Sequence, residues 1–185
     1  MAKPYNEIND IGNPLRRYPD EKCRWYAVLV KGNYEKKAGF YLRAIKIKVY
    51  LPLQKKLRYW SDRKKWIETP LFPCYIFVNV NSTDYYRVLS CPYILKYVSF
   101  EGQPAVISQD QISSIKTVLN SGLNYSVITE RFKINEQIKL DYGPLSGCLG
   151  RIVEFEGKDR LLISIDNVSY NLLVSIRPNY YMPAV

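Results

Sequence analysis

Histidine is absent from this 185-residue chain. Its absence excludes Ser-His and Cys-His nucleophile systems, histidine acid–base chemistry and histidine-ligated metals. Cysteine is scarce: Cys23, Cys74, Cys91 and Cys148 lie 51, 17 and 57 residues apart, so no C-x-x-C pair exists. A zinc site needs closer ligands, and the four read as free thiols packed as small apolar groups. Glycine (9) and proline (11) are too few for a collagen-like or low-complexity chain. Apolar runs such as residues 25–30 fall far short of the about 20 residues that a membrane helix needs. The opening Met1-Ala2-Lys3-Pro4-Tyr5-Asn6-Glu7 lacks signal-peptide character, so the expectation is a cytoplasmic protein without a membrane segment. The N-x-S/T triplets at Asn81, Asn124 and Asn167 then read as chance. No Gly-rich phosphate loop with its Lys and no carboxylate constellation is present, so neither an enzyme nor a metal or cofactor is expected.

What the chain does have is unevenly placed positive charge. The net charge is +10, and residues 22–66 hold 14 Lys or Arg against two acids, Glu35 and Asp62. The rest carries 13 basic and 15 acidic residues. A single basic stretch of this density attracts polyanions by long-range field and counterion release, which points to nucleic acid.

Residues 1–22 show neither helical nor strand period and read as a flexible tail. Arg24-Trp25-Tyr26-Ala27-Val28-Leu29-Val30 is a short, aromatic and β-branched buried strand. From Tyr34, Ala38, Tyr41, Leu42 and Ile45 fall at helical spacing, with Lys36, Lys37, Arg43 and Lys46 opposite: an amphipathic helix with a basic outside. Residues 48–53 return as a strand. Residues 54–67 read as a long hairpin turning at Ser61-Asp62, its aromatics Tyr59, Trp60 and Trp66 interleaved with Lys55, Lys56, Arg58, Arg63, Lys64 and Lys65. Pro70-Leu71-Phe72-Pro73-Cys74 is a bend and residues 75–80 a strong strand. Ser82-Thr83-Asp84 starts a second helix that Cys91-Pro92 stops; strands follow at 94–100 and 105–107; Ser108 opens a third helix that ends at Asn120-Ser121-Gly122. Residues 121–130 lack a pattern and read as a linker. Strand signals at 137–140, 151–155, 161–165 and 170–176, with turns between, suggest a small barrel.

Two stretches carry a resemblance. Arg24-Trp25-Tyr26-Ala27-Val28 is followed after some 45 residues by Pro70-Leu71-Phe72-Pro73-Cys74-Tyr75-Ile76-Phe77-Val78, and Gly143-Pro144-Leu145-Ser146-Gly147-Cys148-Leu149-Gly150-Arg151-Ile152-Val153 looks like a KOW motif. In this order they resemble the NusG family of transcription elongation factors. The resemblance implies an α+β fold. An NGN domain, an antiparallel sheet flanked by helices, spans 23–120. A linker at 121–130 leads to a small SH3-like β-barrel KOW domain over 131–178 and a tail at 179–185. Leu51-Pro52-Leu53 and Tyr59-Trp60-Ser61-Asp62-Arg63-Lys64-Lys65-Trp66 look most like UpxY-like or RfaH-like specialised paralogues.

What the family implies for function is antitermination or elongation control, operon-specific in those paralogues and directed at capsular or surface polysaccharide genes. In the family the NGN domain grips the clamp helices of the largest bacterial RNA polymerase subunit through an apolar pocket. The matching positions are Leu29, Phe72, Pro73, Tyr75 and Phe77. Strand alternation sends Tyr75 and Phe77 to one face and Ile76 and Val78, as core, to the other. Lys31, Lys37 and Tyr41 match contacts to the non-template DNA strand. Lys36 adds to that face, and Arg58, Arg63, Lys64 and Lys65 could contact upstream duplex or nascent RNA. Trp60 and Trp66 could equally lie pinned against the sheet. Cys74 stands where NusG proteins usually have Gly, which leads us to expect an ordinary backbone conformation there. Gly143, Pro144, Gly147 and Gly150 shape the KOW turn. A small-subunit ribosomal protein or Rho is the family's partner for the KOW domain, but Asp166 and Val168 stand where an aromatic and a basic residue are expected. The β-branched residues of this domain favour the barrel over a helical refolded form. The rival reading is an RNA- or ribosome-binding KOW module without polymerase contact.

Overall fold

The computed structural model describes residues 22–60, 63–129, 138–140, 143–165 and 168–176. The expected tails, the turn at Ser61-Asp62 and Asp166 lie outside these residues.

The N-terminal half is a five-stranded antiparallel sheet. Its centre is β1 (Arg24–Val30), flanked on one side by β5 (Tyr75–Val80) and then β2 (Lys48–Tyr50). The other edge of β1 pairs with both β6 (Ile94–Tyr97) and β9 (Val106–Ile107). A central strand covered on both faces must be apolar at every position, which explains the unbroken run from Trp25 to Val30. One face holds Tyr26, Val28, Val30, Ile76, Val78 and Val80 under α1 (Glu35–Ala44) and α2 (Ser82–Leu89). The other holds Trp25, Ala27 and Phe77 under α3 (Gln109–Asn120). The alternation expected along β5 is the one found.

Local signals set the helix starts. Ser108 and Gln111 form a capping box, with Gln111 N donating to Ser108 Oγ (3.1 Å) and Ser108 N to Gln111 Oε1 (3.0 Å). The cap of α2 is Asn81, whose Oδ1 accepts from Asp84 N at 2.9 Å, one residue before the expected Ser82. Tyr85 and Tyr97 stack at 3.9 Å, Tyr26 meets both edge-on at 5.7 Å, and Tyr97 Oη donates to Tyr85 O at 2.8 Å. Burial pushes the Tyr97 hydroxyl far above its ordinary value.

Two small ribbons stand apart from the main sheet. The first is β3 (Leu53–Tyr59) with β4 (Lys64–Pro70); the second is β7 (Ser99–Phe100) with β8 (Gln103–Pro104).

The C-terminal half is a second antiparallel sheet, ordered β10 (Tyr125–Ile128), β14 (Asn171–Ser175), β13 (Lys158–Ser164), β12 (Leu149–Phe155) and β11 (Ile138–Lys139). Strands, not helices, form here, as the β-branched content led us to expect. One expectation is corrected: residues 125–128, read as linker, are strand β10, in register with β14 from Tyr125↔Val174 to Ile128↔Asn171. The four residues are too short a segment for an alternating signal to stand out.

The two halves are not separate bodies. Leu140, Leu145, Leu161, Ile163, Leu172 and Val174 share one continuous buried cluster with Trp25, Leu71, Phe72, Phe77 and the α3 residues Ile112, Ile115 and Val118. Polar contacts pin the join: Leu149 N donates to Ser114 Oγ (3.0 Å) and Gln111 Nε2 to Ser164 O (3.2 Å). Cys148, wholly buried beside Ser114, has its thiol pushed up by burial, with hydrogen bonds from Thr117 and Ser114 opposing.

Candidate functional site

The bend at 70–74 joins β4 to β5 and is held from three directions. Leu71 N donates to Pro52 O (2.8 Å), Val30 N to Cys74 O (2.8 Å) and Tyr75 N to Phe72 O (3.2 Å). Cys74 N donates to Oε1 of Glu35 at 2.9 Å. Glu35 begins α1 and is buried, so its carboxylate is tied to the bend from inside. Cys74 has φ +65, in the left-handed region that favours glycine. The expected ordinary backbone is therefore corrected: these hydrogen bonds impose the conformation and Cys tolerates it at a cost.

The bend aims aromatic rings at the C-terminal half. Phe72 meets Phe77 edge-on (6.2 Å, 90°), and Tyr50 stacks on Phe77 at 6.2 Å. Tyr170, just before β14, lies over this group: near-parallel to Phe72 at 6.1 Å and edge-on to Tyr75 at 5.9 Å. Burial, then Cys74 and Tyr75, push the Tyr170 hydroxyl up.

Phe72 and Phe77 have no exposure, Tyr75 and Leu29 are half-buried, and Pro73 is exposed. Leu29 pairs across from Tyr75. The apolar pocket that the resemblance implies is not open in this arrangement: Phe72 and Phe77 are sealed. The physical reason is that the inner face of the C-terminal sheet is apolar and finds its cover on Leu71, Phe72 and α3. Tyr170 was not legible as the covering group, because nothing local links it to a bend 98 positions earlier.

The basic stretch divides into two surfaces. On the first, Lys31, Lys36 and Lys37 are exposed at and before α1. Lys37 Nζ sits 5.0 Å from the Tyr34 ring, itself stacked on Tyr93 at 5.0 Å. Tyr41 is corrected in part: it is half-buried and packs under the sheet rather than standing free. Phe40, 77% exposed, takes the outward place. Its signal was an aromatic off the apolar stripe of the helix, between Lys36, Lys37 and Arg43. The second surface is the β3–β4 ribbon, where Arg58, Arg63, Lys64 and Lys65 are all exposed. Trp60 (46%) and Trp66 (64%) are exposed too, so neither is pinned against the sheet.

Residues 23–116 match the family described as NusG, transcription termination factor nusG. The chain belongs to the NusG family. It is 25% identical over 154 residues to the transcription termination/antitermination protein NusG of Chlamydia pneumoniae, covering 77% of this chain and 84% of that protein. Similarity to the NusG of Staphylococcus carnosus is also 25%, over 158 residues, covering 77% and 86%. A solved structure of Thermotoga maritima NusG, titled for its domain interaction, aligns over 83% of this chain and 93% of that one, with 24% identity and a TM-score of 0.46. With the family match over residues 23–116, the observed order, a helix-flanked sheet followed by a β-rich half, is that of an NGN domain followed by a KOW domain.

Within the KOW part, Gly143 (φ +76) opens a short 3-10 turn that carries exposed Pro144. Gly147 (φ +82) closes it by donating its N–H to Leu140 O at 2.7 Å. Gly150 is corrected from turn to strand: it lies in β12, where an added Cβ would stand 2.7 Å from Leu162 O and 2.8 Å from Leu161 Cδ1. Close backbone approach, not a turn, requires glycine there. No cluster of potential metal ligands occurs among the described residues, and no described helix is long and apolar enough to cross a membrane.

Proposed function

We propose that this chain is an antitermination or elongation factor whose NGN domain, residues 23–120, binds the clamp helices of RNA polymerase in the cytoplasm and suppresses pausing or termination. The observation that carries this reading is the ring cluster at the Pro-flanked bend. Phe72, Pro73, Tyr75 and Phe77, with Leu29 beside them, supply large apolar area on a rigid support, the kind of anchor that dominates interfaces. In the sealed arrangement Tyr170 occupies the place a helix tip would take. Binding therefore requires the KOW domain, residues 131–178, to swing away, and polymerase is the ligand that selects the open form.

The basic surface, Lys31, Lys36 and Lys37, adds contact to nucleic acid of the transcription complex. The segments 51–53 and 59–66 support the narrower reading of an operon-specific paralogue acting on polysaccharide genes. Once released, the KOW domain is free to meet a ribosomal protein or Rho.

The test is in-vitro transcription through a pause or terminator with the full chain, paired with capture by a clamp-helix fragment. Read-through and capture that both vanish in a Phe72→Ala/Tyr75→Ala protein shown by circular dichroism to be folded support the proposal. Capture unchanged by that pair refutes the assigned surface, and read-through unchanged by the protein refutes the function.

A further inference from the structure

The root of the β3–β4 ribbon leaves a gap against the body of the molecule. Between it, the C-terminal half of α3 and the start of β10 lies a cleft of about 690 Å³. That volume falls within the range of sites that enclose a small organic ligand. Leu51, Pro52, Leu53 and Leu119 give the cleft an apolar wall, and Tyr125 adds a ring. Lys55, Lys116 and Glu68 bring charge, and Gln54 and Asn120 bring amides.

These polar groups are not consumed by one another. Lys55 stands opposite Glu68 across the ribbon, yet neither is in an ion pair among the described residues. Lys116 has no carboxylate partner among them either. Its Nζ sits 5.0 Å from the centroid of the Tyr50 ring, which also lines the cleft, so cation–π attraction holds the charge there. The Tyr50 hydroxyl is buried without a hydrogen-bond partner, a state that folded proteins rarely keep without a cause. Gln54 Nε2 makes one long bond, to Pro70 O at 3.4 Å, and leaves its Oε1 for a ligand.

We infer that this cleft is a binding site for an adenine nucleoside diphosphate, with the base against Tyr125 and the apolar wall and the phosphates on Lys116 and Lys55. The chemistry selects this class. Two ammonium groups against one carboxylate call for an anion of more than one charge. The apolar wall and ring call for a flat body, which a bare phosphate lacks. A side-chain amide such as Gln54 or Asn120 sets a donor beside an acceptor, the match to adenine N6 and N7, whereas guanine O6 and N7 ask for two donors. Glu68 is left to accept from a ribose hydroxyl. The inference also adds regulation to the polymerase reading above and rests on it there. Tyr125 belongs to the C-terminal sheet through its pairing with Val174, and the other lining groups belong to the N-terminal half. The site is complete only while the halves are joined, so its ligand favours the closed form and opposes the polymerase partner.

Calorimetric titration of the full-length chain with ADP tests the site, with GDP, adenosine and inorganic pyrophosphate for comparison. ADP should bind about tenfold or more tighter than each of them. Lys116 is exposed, so Lys116→Glu leaves the core intact, and it should weaken ADP by about tenfold or more. Gln54→Leu/Asn120→Leu should bring ADP and GDP to equal affinity. No measurable ADP binding, or pyrophosphate bound as tightly as ADP, overturns the site. GDP bound as tightly as ADP by the wild-type chain overturns the adenine assignment, and ADP affinity unchanged in Lys116→Glu overturns the location. With ADP about tenfold above its dissociation constant, capture of the clamp-helix fragment should weaken by up to about tenfold. Capture unchanged by bound ADP overturns the coupling. A wild-type chain that captures no fragment even without ADP refutes the polymerase reading and leaves the ADP titration standing.

Discussion

Removing the Tyr170 ring should turn a sealed protein into an open one. Tyr170→Ala deletes two aromatic contacts, the near-parallel pair with Phe72 at 6.1 Å and the edge-on pair with Tyr75 at 5.9 Å. Each such pair contributes about 0.5–1.5 kcal/mol beyond its buried area. With part of the area term added, the closed arrangement loses about 2–3 kcal/mol, a shift of roughly 30- to 150-fold toward the open form. Apparent affinity scales with the open fraction, so a clamp-helix fragment should bind more tightly by up to that factor while the closed form dominates. The measurement is a titration of the labelled fragment with wild type, Tyr170→Ala and Tyr170→Phe. The phenylalanine variant keeps the ring and should behave as wild type. Adding Phe72→Ala to Tyr170→Ala should remove the gain. Unchanged or weaker binding by a folded Tyr170→Ala protein would refute the reasoning, since the ring would then not compete with the partner.

Further outcomes follow from particular geometries. Gly150→Ala should destabilise the C-terminal half by about 2 kcal/mol or more, seen by denaturant titration, because the new Cβ meets Leu162 backbone oxygen at 2.7 Å. Cys74→Gly should raise the melting temperature, relieving about 1 kcal/mol of left-handed strain at φ +65, whereas Glu35→Ala should lower it by stranding the Cys74 N–H. Alkaline pH should weaken the fold: the unfolded chain ionises from about 9.0 at Cys148 and 10.0 at Tyr97, while burial keeps both protonated in the folded state. Stability measured against pH should therefore be level below that window and fall as pH rises through it. Lys36→Glu/Lys37→Glu should weaken DNA binding and lower its salt slope by roughly 0.7–0.9 per lost phosphate contact.

Much of the architecture was legible because it rests on local signals. The unbroken apolar run at β1 announced a buried strand, and the polar start at Ser108 announced α3. The hairpin read over 54–67, from alternation and the turn residues Ser61-Asp62, is found as the paired strands β3 and β4, slightly longer at both ends. Of the candidate site, the rings at the bend and the exposed cations were named from their residues, but their state was not. Phe72 is an interface type of residue whether open or covered, and its pattern is the same in both cases. Cys74 misled because residue preference argues from strain alone, while three backbone hydrogen bonds and the Glu35 carboxylate over-determine its conformation.

The chain carries in its own order the strand and helix periods and the concentration of charge within residues 22–66. These are properties of neighbours along the backbone, and periodicity or composition exposes them. The union of the two halves through Phe72, Tyr170 and α3 belongs to the folded molecule. Long-range burial depends on which apolar faces remain uncovered once each sheet has formed, and that is a competition among surfaces far apart in the chain.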